Sequence, residues 1–365
     1  MSILSDYWDI FQESLFPRLE TAVEEPLTEK LKQFVRVVDV VRIERYIESP
    51  FAQWMGRKRF DRRSIARAFL AKAVYNLPTT EILLEMLRQQ PPLRRLCGFE
   101  RQRDIPSAST FSRAFAQFAR VGLGDVVHEA LVKEHVGDKI VMHVSRDSTA
   151  VKAREKPVRK AKPVQKAKRK PGRPKRDEQV EPREPRRILK QLTQTPEEAI
   201  AELPRVCNIG CKRDSQGFPH PWIGWKFHVD WADGSVPLFA VTTSASLNDN
   251  QVAIPMARIT ARRAISLYDL MDSAYDAKEI RQVSAELGHV AIIEPLPRHQ
   301  NPPNWEPDRI RRYKERTTAE RGNSRLKDEF GLRHLRVQGH AKAHMHMMFG
   351  LLALFADALR YISSG

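Results

Sequence analysis

The feature that most constrains the fold is a change in the period of the apolar residues near Lys139. Upstream, apolar residues recur at three- and four-residue spacing, most clearly over 64–75 and 81–87, which is the period of an amphipathic helix. From 140 onward the apolar residues Ile140, Met142 and Val144 alternate instead with Val141, His143 and Ser145, which is the period of a half-buried strand. The pattern therefore predicts an all-helical domain over residues 1–135 that is followed by an α/β domain.

The order of the later elements indicates the class of that second domain. Segments 224–231 and 236–243 have strand patterns, and the turn residues 232–235 between them predict a hairpin. Six further groups of apolar residues predict, in order, a helix at 248–263, a strand at 265–271, a helix at 277–287, a strand at 289–293 and closing helices at 308–330 and 340–362. This order predicts a mixed sheet with helices, typical of a ribonuclease-H-like domain, over residues 136–150 and 188–365.

A basic segment, residues 151–187, interrupts the α/β domain. It holds 16 Lys or Arg and 5 Asp or Glu residues, so it contributes +11 to the net charge of +17. It is rich in proline and has few apolar residues, which predicts an insertion that is disordered without a partner. Its core, Gly172-Arg173-Pro174, resembles an AT-hook, a motif that lies in the narrow minor groove of A·T-rich DNA. The DNA contacts this predicts are Lys170, Arg173 and Lys175; a plain polybasic linker is the alternative.

The overall charge favours nucleic acid as the partner. The three cysteines, Cys97, Cys207 and Cys211, are too few for a disulfide framework and indicate a reducing compartment. A zinc site at Cys207 and Cys211 is an alternative, although their spacing fits no strong zinc pattern. The chain has neither a signal-peptide pattern nor an apolar run long enough to span a bilayer, so a cytoplasmic location is expected.

A second candidate DNA contact lies in the helical domain. Phe111, Phe115 and Phe118 share one face of a predicted helix, with Ser109 as its predicted cap and Arg113 on the exposed face. A short helix with an exposed polar start after a tight turn is typical of helix-turn-helix units. The alternative is an ordinary amphipathic helix.

Three acidic residues are candidates for a catalytic site. Asp147 and Asp272 each follow an apolar strand pattern, and Glu320 lies in the penultimate predicted helix. Because ligands bind at the carboxyl ends of strands in open α/β sheets, these carboxylates are expected to meet there. Oxygen ligands suit Mg²⁺ or Mn²⁺. Taken singly, each acid could instead be a turn, a cap or a solvated helix residue.

The predicted helix that bears Glu320 has the pattern Tyr-x₂-Arg-x₃-Glu-x₆-Lys. In one continuous helix Tyr313, Arg316, Glu320 and Lys327 fall within about 60° of one another. Such a face would present a metal-binding carboxylate beside groups that can bind DNA phosphates.

These motifs resemble those of bacterial insertion-sequence transposases of the DDE type, in the group marked by a Tyr-Arg-Glu-Lys signature. Asp147-Ser-Thr is similar to the first-Asp motif, Gly224-Trp-Lys-Phe-His to the glycine-aromatic-lysine strand, and Asp272-Ser-Ala-Tyr to the second-Asp motif. Segment 243–249 resembles a further family turn, with Asn248 where histidine is usual. The resemblance covers nearly the whole chain except the basic insertion.

The resemblance implies an enzyme with a ribonuclease-H-like fold. Asp147, Asp272 and Glu320 would hold two Mg²⁺ or Mn²⁺ ions, with Asp147 bridging both. It further implies cleavage at transposon ends, strand transfer into target DNA, and action as a homodimer on double-stranded DNA near the bacterial nucleoid. The alternatives are a non-catalytic DNA-binding relative, such as a domesticated regulator, and a basic nuclease that does not join strands.

Overall fold

The structure is a computed structural model that describes residues 27–48, 60–158, 185–213, 216–296 and 305–363, with side chains described as far as 359. It divides into two compact units. The helical unit comprises residues 1–127, 326–334 and 347–365, and the α/β unit comprises 128–325 and 335–346. None of the helices in the described part of the chain is long and apolar enough to cross a membrane.

Aromatic packing organises the helical unit. Phe69 makes edge-on contacts with Phe111 and Phe115, with ring centroids 5.6 and 5.0 Å apart, and Phe349 lies 5.4 Å from Phe69. The face predicted for the phenylalanines is therefore confirmed as buried. The helices before the sheet are α1 (Glu29–Val41), α2 (Arg62–Val74), α3 (Thr80–Gln89), α4 (Pro91–Leu96), α5 (Ala108–Arg120) and α6 (Leu123–His135).

Two of the predicted helix details have different outcomes. Arg113 is exposed on α5, as expected. Ser109, however, does not cap that helix. Ser107 is the N-cap residue, because it follows Pro106 in an extended conformation and its carbonyl accepts from Thr110 and Phe111. The prediction of Ser109 as the N-cap residue was therefore wrong by two residues.

The α/β unit is built on a six-stranded mixed sheet. Its strand order is β2-β3-β1-β5-β6, with β4 paired to β3. The β1–β5 and β5–β6 pairs are parallel, and β3 is antiparallel to β1, β2 and β4. The strands are β1 (Ile140–Lys152), β2 (Asn208–Arg213), β3 (Pro219–Ala232), β4 (Val236–Ser244), β5 (Ile265–Met271) and β6 (Val290–Ile293).

Helices cover both faces of this sheet. Asp230 contacts Thr260, whereas the next residue, Trp231, lies against Gly322. Since successive strand residues point to opposite faces, the helices that carry these two partners lie on opposite sides. The helices are α7 (Arg187–Lys190), α8 (Pro196–Ala201), α9 (Asn250–Ala261), α10 (Lys278–Glu286), α11 (Pro307–Lys314), α12 (Thr317–Asp328) and α13 (His340–Ser363).

Strand β1 differs from its prediction in length. It does not end at Asp147 but continues to Lys152, because β3 supplies an antiparallel partner for residues 144–152. Gly224 allows the close pairing at the far end, where a Cβ atom would collide with the Val151 carbonyl. The expectation that Asp147 follows the end of its strand was therefore wrong. Strand β2 was not predicted.

The ends of the basic insertion are ordered, in contrast to the prediction of disorder over 151–187. β1 includes residues 151 and 152, and α7 begins at Arg187. The AT-hook-like residues Lys170, Arg173 and Lys175 lie outside the described residues.

The penultimate predicted helix is broken in two. Helix α11 ends at Lys314 and α12 begins at Thr317. At the break the Thr317 hydroxyl donates to the Lys314 carbonyl at 3.0 Å, and the backbone N–H of Thr318 bonds to the Glu315 carbonyl, three residues back. Such side-chain bonding competes with the helical ladder. The prediction of one continuous helix over 308–330 was therefore wrong.

Candidate active site

The register between β1 and β5 places two carboxylates at one edge of the sheet. The parallel pairing ends at Ser145 opposite Leu270. Asp147 and Asp272 each lie two residues beyond that pair. Asp272 also accepts a hydrogen bond from the Ala274 N–H at 3.0 Å, which fixes its carboxylate at the start of a short 3₁₀ turn. The structure thus brings these two predicted residues together.

Each of the two carboxylates is hard to ionise. Burial and then the negative charge of Asp147 raise the pKa of Asp272 to about 6. Burial also raises the pKa of Asp147, although the charges of Lys212 and Arg316 oppose the effect. Two desolvated acids, of which Asp147 raises the pKa of Asp272, are only partly compensated by Lys212 and Arg316, and a bound cation would supply further positive charge.

Asn323 on α12 holds Asp147. Its side-chain Nδ2 donates to Asp147 Oδ2 at 2.9 Å, whereas its buried Oδ1 has no hydrogen-bond partner in the described structure. Sequence reasoning missed this residue. The available signal was its position three residues after Glu320, which puts both side chains on the same helix face.

Glu320 lies in the first turn of α12, where its carboxylate accepts from the Arg316 guanidinium at 2.7 Å. Its side chain is 55% exposed. Among the described residues no group of three or more His, Cys, Asp or Glu could hold a metal ion. The structure therefore does not gather Glu320 with Asp147 and Asp272 into one cluster.

Arg316 lies between Glu320 and the two aspartates. Burial lowers its pKa, but Tyr313, Glu320, Asp147 and Asp272 together outweigh burial and raise it. Arg316 therefore remains cationic and neutralises part of the acidic charge at this edge.

The four signature residues do not lie on one continuous helix. Tyr313 belongs to α11, where its hydroxyl donates to Glu294 at 3.1 Å, and Arg316 lies in the break. Glu320 and Lys327 belong to α12. The single continuous helix assumed for that face was therefore wrong, although Arg316 contacts both the ring of Tyr313 and the carboxylate of Glu320.

Two residues of the Gly-Trp-Lys-Phe-His motif, Lys226 and His228, lie near Asp249 at the same edge of the sheet. Lys226 donates to Asp249 at 2.9 Å and to the Leu247 carbonyl at 2.8 Å. Burial lowers the pKa of His228 to about 4, so its ring is neutral near pH 7, and it lies 2.8 Å from the Thr243 hydroxyl. Burial opposes ionisation of Asp249, yet His228 and Lys226 hold its pKa below the ordinary value. The motif thus stabilises a charged carboxylate beside Asp147 and Asp272.

A buried ion pair joins β1, the strand that carries Asp147, to its antiparallel neighbour β3. The Arg146 guanidinium donates twice to Asp230, both at 2.7 Å, and Thr260 donates to Asp230 at 2.6 Å. Arg146 Nη1 also lies 3.6 Å from the sulfur of Met271. Arg146 precedes Asp147 and Met271 precedes Asp272, so Arg146 is bound to β3 through the ion pair and contacts β5 directly before the acidic edge.

The packing of α12 gives a testable prediction. A Cβ atom at Gly322 would lie 2.6 Å from the ring of Trp231. We expect Gly322→Ala to destabilise the protein by about 1–3 kcal/mol, because overpacking outweighs the gain in helix propensity. Urea unfolding measures this difference. A stabilised Gly322→Ala variant would show that α12 does not pack closely on Trp231.

The donor set fits a hard divalent cation in part. Two half-buried carboxylates and the unpartnered amide oxygen of Asn323 offer oxygen donors at one edge, which is the ligand type that Mg²⁺ and Mn²⁺ prefer. Glu320 is one helical turn away from Asn323 and can join this set only by leaving Arg316.

These features define an α/β protein with an acidic sheet edge suited to a divalent cation. Residues 19–117 match the model of a transposase domain (DUF772), and residues 222–356 match that of a transposase DDE domain. The two matches together indicate a DNA transposase and support an insertion-sequence transposase of the DDE type. The DDE match includes Asp272 and Glu320 and begins after Asp147. No curated protein matches the chain.

Proposed function

We propose that the chain cleaves transposon ends and joins them to target DNA, with a ribonuclease-H-like catalytic domain. Asp147, Asp272 and Glu320 would be the ligands of two Mg²⁺ or Mn²⁺ ions. The observation that carries this proposal is the pair of mutually repelling aspartates on neighbouring parallel strands, within a chain that matches a transposase DDE domain.

The side chains at this edge would have separate roles in holding the ions and in binding the DNA. Bound divalent ions would activate a water or a DNA 3′-hydroxyl and stabilise the leaving oxygen. Asp147, oriented by Asn323, and Asp272, fixed by the Ala274 N–H, would hold the ions. Arg316 would exchange Glu320 for a phosphate oxygen, which would free the third carboxylate. Tyr313 and Lys327 would contact the DNA backbone.

The remaining assignments extend this proposal. Residues 1–135 would serve DNA binding and assembly, with Arg113 as a DNA contact, and 151–187 would bind DNA through its basic charge. The active form would be a homodimer on double-stranded DNA. The genomic DNA that flanks the gene would supply the terminal repeats.

The direct test is an assay on duplex DNA that carries those flanking repeats. We expect nicking at the repeat ends and joining of the new 3′-ends to a second duplex in Mg²⁺ or Mn²⁺, and neither product in a chelator. DNA binding without cleavage would instead support a non-catalytic relative. Cleavage that never yields joined products would support a nuclease.

Metal binding should depend on pH because the pKa of Asp272 is raised to about 6. A carboxylate must lose its proton to bind a cation, so protons compete below that pH. We expect the apparent Mn²⁺ affinity to fall by about tenfold for each pH unit below 6. Calorimetric titration across this range measures the dependence. An affinity that stays constant between pH 7 and pH 5 would exclude Asp272 as a ligand.

A further inference from the structure

Helix α11 carries unusual positive charge on its surface. It contains Arg309, Arg311, Arg312 and Lys314 against one acid, Asp308, and none of its residues is buried. Asp308 is paired with Arg311. Neither Arg309 nor Arg312 forms an ion pair with any carboxylate in the described part of the chain. Two cations are thus left for an external anion.

Aromatic rings hold three arginines in a row, which we name the arginine row: Arg309, Arg312 and Arg316. The guanidinium of Arg309 lies 5.0 Å from the ring centre of Trp305, that of Arg312 lies 4.2 Å from Tyr268, and that of Arg316 lies 5.7 Å from Tyr313. Stacking on a ring fixes the guanidinium plane and leaves its N–H donors at the edge free to bind an anion.

Arg309, the end of the arginine row farthest along the chain from Arg316, has no acidic partner among the described residues. The Nε atom of Arg309 is buried and has no hydrogen-bond partner in the described structure. Burial and the nearby charge of Arg281 lower the pKa of Arg309. Arg281 itself is paired with Asp276 at 2.9 Å. An anion bound at Arg309 would satisfy the orphaned donor and relieve the repulsion.

The row leads to the acidic edge. Arg312 stacks on Tyr268 of β5, the strand that directly precedes Asp272. Arg316, at the other end, interacts electrostatically with both Asp147 and Asp272.

We propose that the arginine row binds consecutive backbone phosphates of one DNA strand and delivers that strand to the acidic edge. Planar guanidinium groups match phosphate oxygens in a two-point geometry. The contact does not depend on base sequence, because it involves only phosphates. This inference rests on the proposed function and assigns Arg309 and Arg312, which lie outside the signature motif, as DNA contacts.

The test measures the salt dependence of binding to a short mixed-sequence duplex, in a chelator so that no cleavage occurs. Each lost phosphate contact makes the negative slope of log affinity against log salt shallower by about 0.9. We expect the magnitude of this slope to decrease by about one for Arg309→Gln, by about one for Arg312→Gln, and by about two for the double variant. Arg262→Gln, an exposed arginine paired with Glu197, is the control and should leave the slope unchanged.

Ring variants separate a fixed row from plain positive charge. Tyr268→Leu removes the ring and no charge, so affinity should fall about two- to fivefold, while Tyr268→Phe should bind like the parent. Arg312→Lys keeps the charge but loses the planar donor set, and it should weaken binding as well. If Arg312→Lys and Tyr268→Leu both bound DNA with the affinity of the parent protein, the proposal that aromatic rings fix the arginine row would be wrong.

Two failures can be told apart because cleavage is measured separately. If the parent protein cleaves and joins DNA but the slopes of Arg309→Gln and Arg312→Gln match its own, the arginine row is wrong and the proposed function stands. If the slopes change as expected but the parent never cleaves, the row is supported and the catalytic proposal fails. Absence of any salt-dependent DNA binding would overturn both.

Discussion

Asp147→Asn and Asp272→Asn should each lower DNA cleavage by about three orders of magnitude, since a metal-held transition state gains several kcal/mol of charge stabilisation. The physical reason is the loss of one of the two carboxylates that would hold the divalent ions at this edge. DNA binding should persist, because the arginine row and the basic insertion are unchanged. Single-turnover cleavage and an electrophoretic binding assay measure the two effects separately.

The same substitutions should leave the metal-free protein folded and at least as stable as the parent. Asn removes the repulsion that raises the pKa of Asp272, and the Asn323 side chain can reorient to bond the new amide at position 147. Thermal unfolding in a chelator gives this control. A large loss of stability in Asp272→Asn, or cleavage close to the parent rate, would mean that the pair is structural.

Arg146→Met should destabilise the protein by about 3–5 kcal/mol, because it leaves Asp230 charged in the interior without its partner. Both side chains of this pair are almost completely buried, at 1% and 0% exposure. Thr260 still donates to Asp230 in the variant, but one hydroxyl cannot replace two charged hydrogen bonds. Urea unfolding gives the free-energy difference directly.

Matched variants distinguish the ion pair from simple packing. Arg146→Lys keeps the charge with fewer donors and should fall between the parent and Arg146→Met. The double variant with Met at 146 and Leu at 230 removes both charges and should recover part of the stability. If Arg146→Met and the double variant were equally unstable, the lost packing volume and not the unpaired carboxylate would explain the effect.

The elements with a strong local pattern were predicted well from sequence. Strand β5 lies at 265–271, where its apolar run placed it, and Asp272 follows it. The hairpin of β3 and β4 also formed at the predicted turn. These elements depend on residues close in the chain, so their periodicity and turn residues are sufficient to locate them.

Features set by distant contacts were not predictable. The length of β1 depends on β3, which lies beyond the basic insertion, and the edge strand β2 has no clear alternation of its own. The break before α12 follows from one local hydroxyl bond at Thr317 that a helical wheel ignores. Register then placed Asp147 beside Asp272 although the predicted strand end was wrong.

The site was predictable in its acids but not in what surrounds them. Motif resemblance selected Asp147, Asp272 and Glu320, yet only the structure shows Glu320 paired to Arg316 and Asn323 bonded to Asp147. Side-chain partners across a sheet edge depend on the packing of α12 on Trp231, which no spacing rule in the sequence describes.

We propose that Glu320 leaves Arg316 and completes a two-metal site when DNA is bound. The most direct test is the number of Mn²⁺ ions bound by the protein–DNA complex, counted by electron paramagnetic resonance. We expect two ions for the parent and for Glu315→Gln, an exposed control five residues away, and one ion for Glu320→Gln. If Glu320→Gln binds both ions with the parent's affinity, Glu320 is not a ligand and the two-metal site proposed here is wrong.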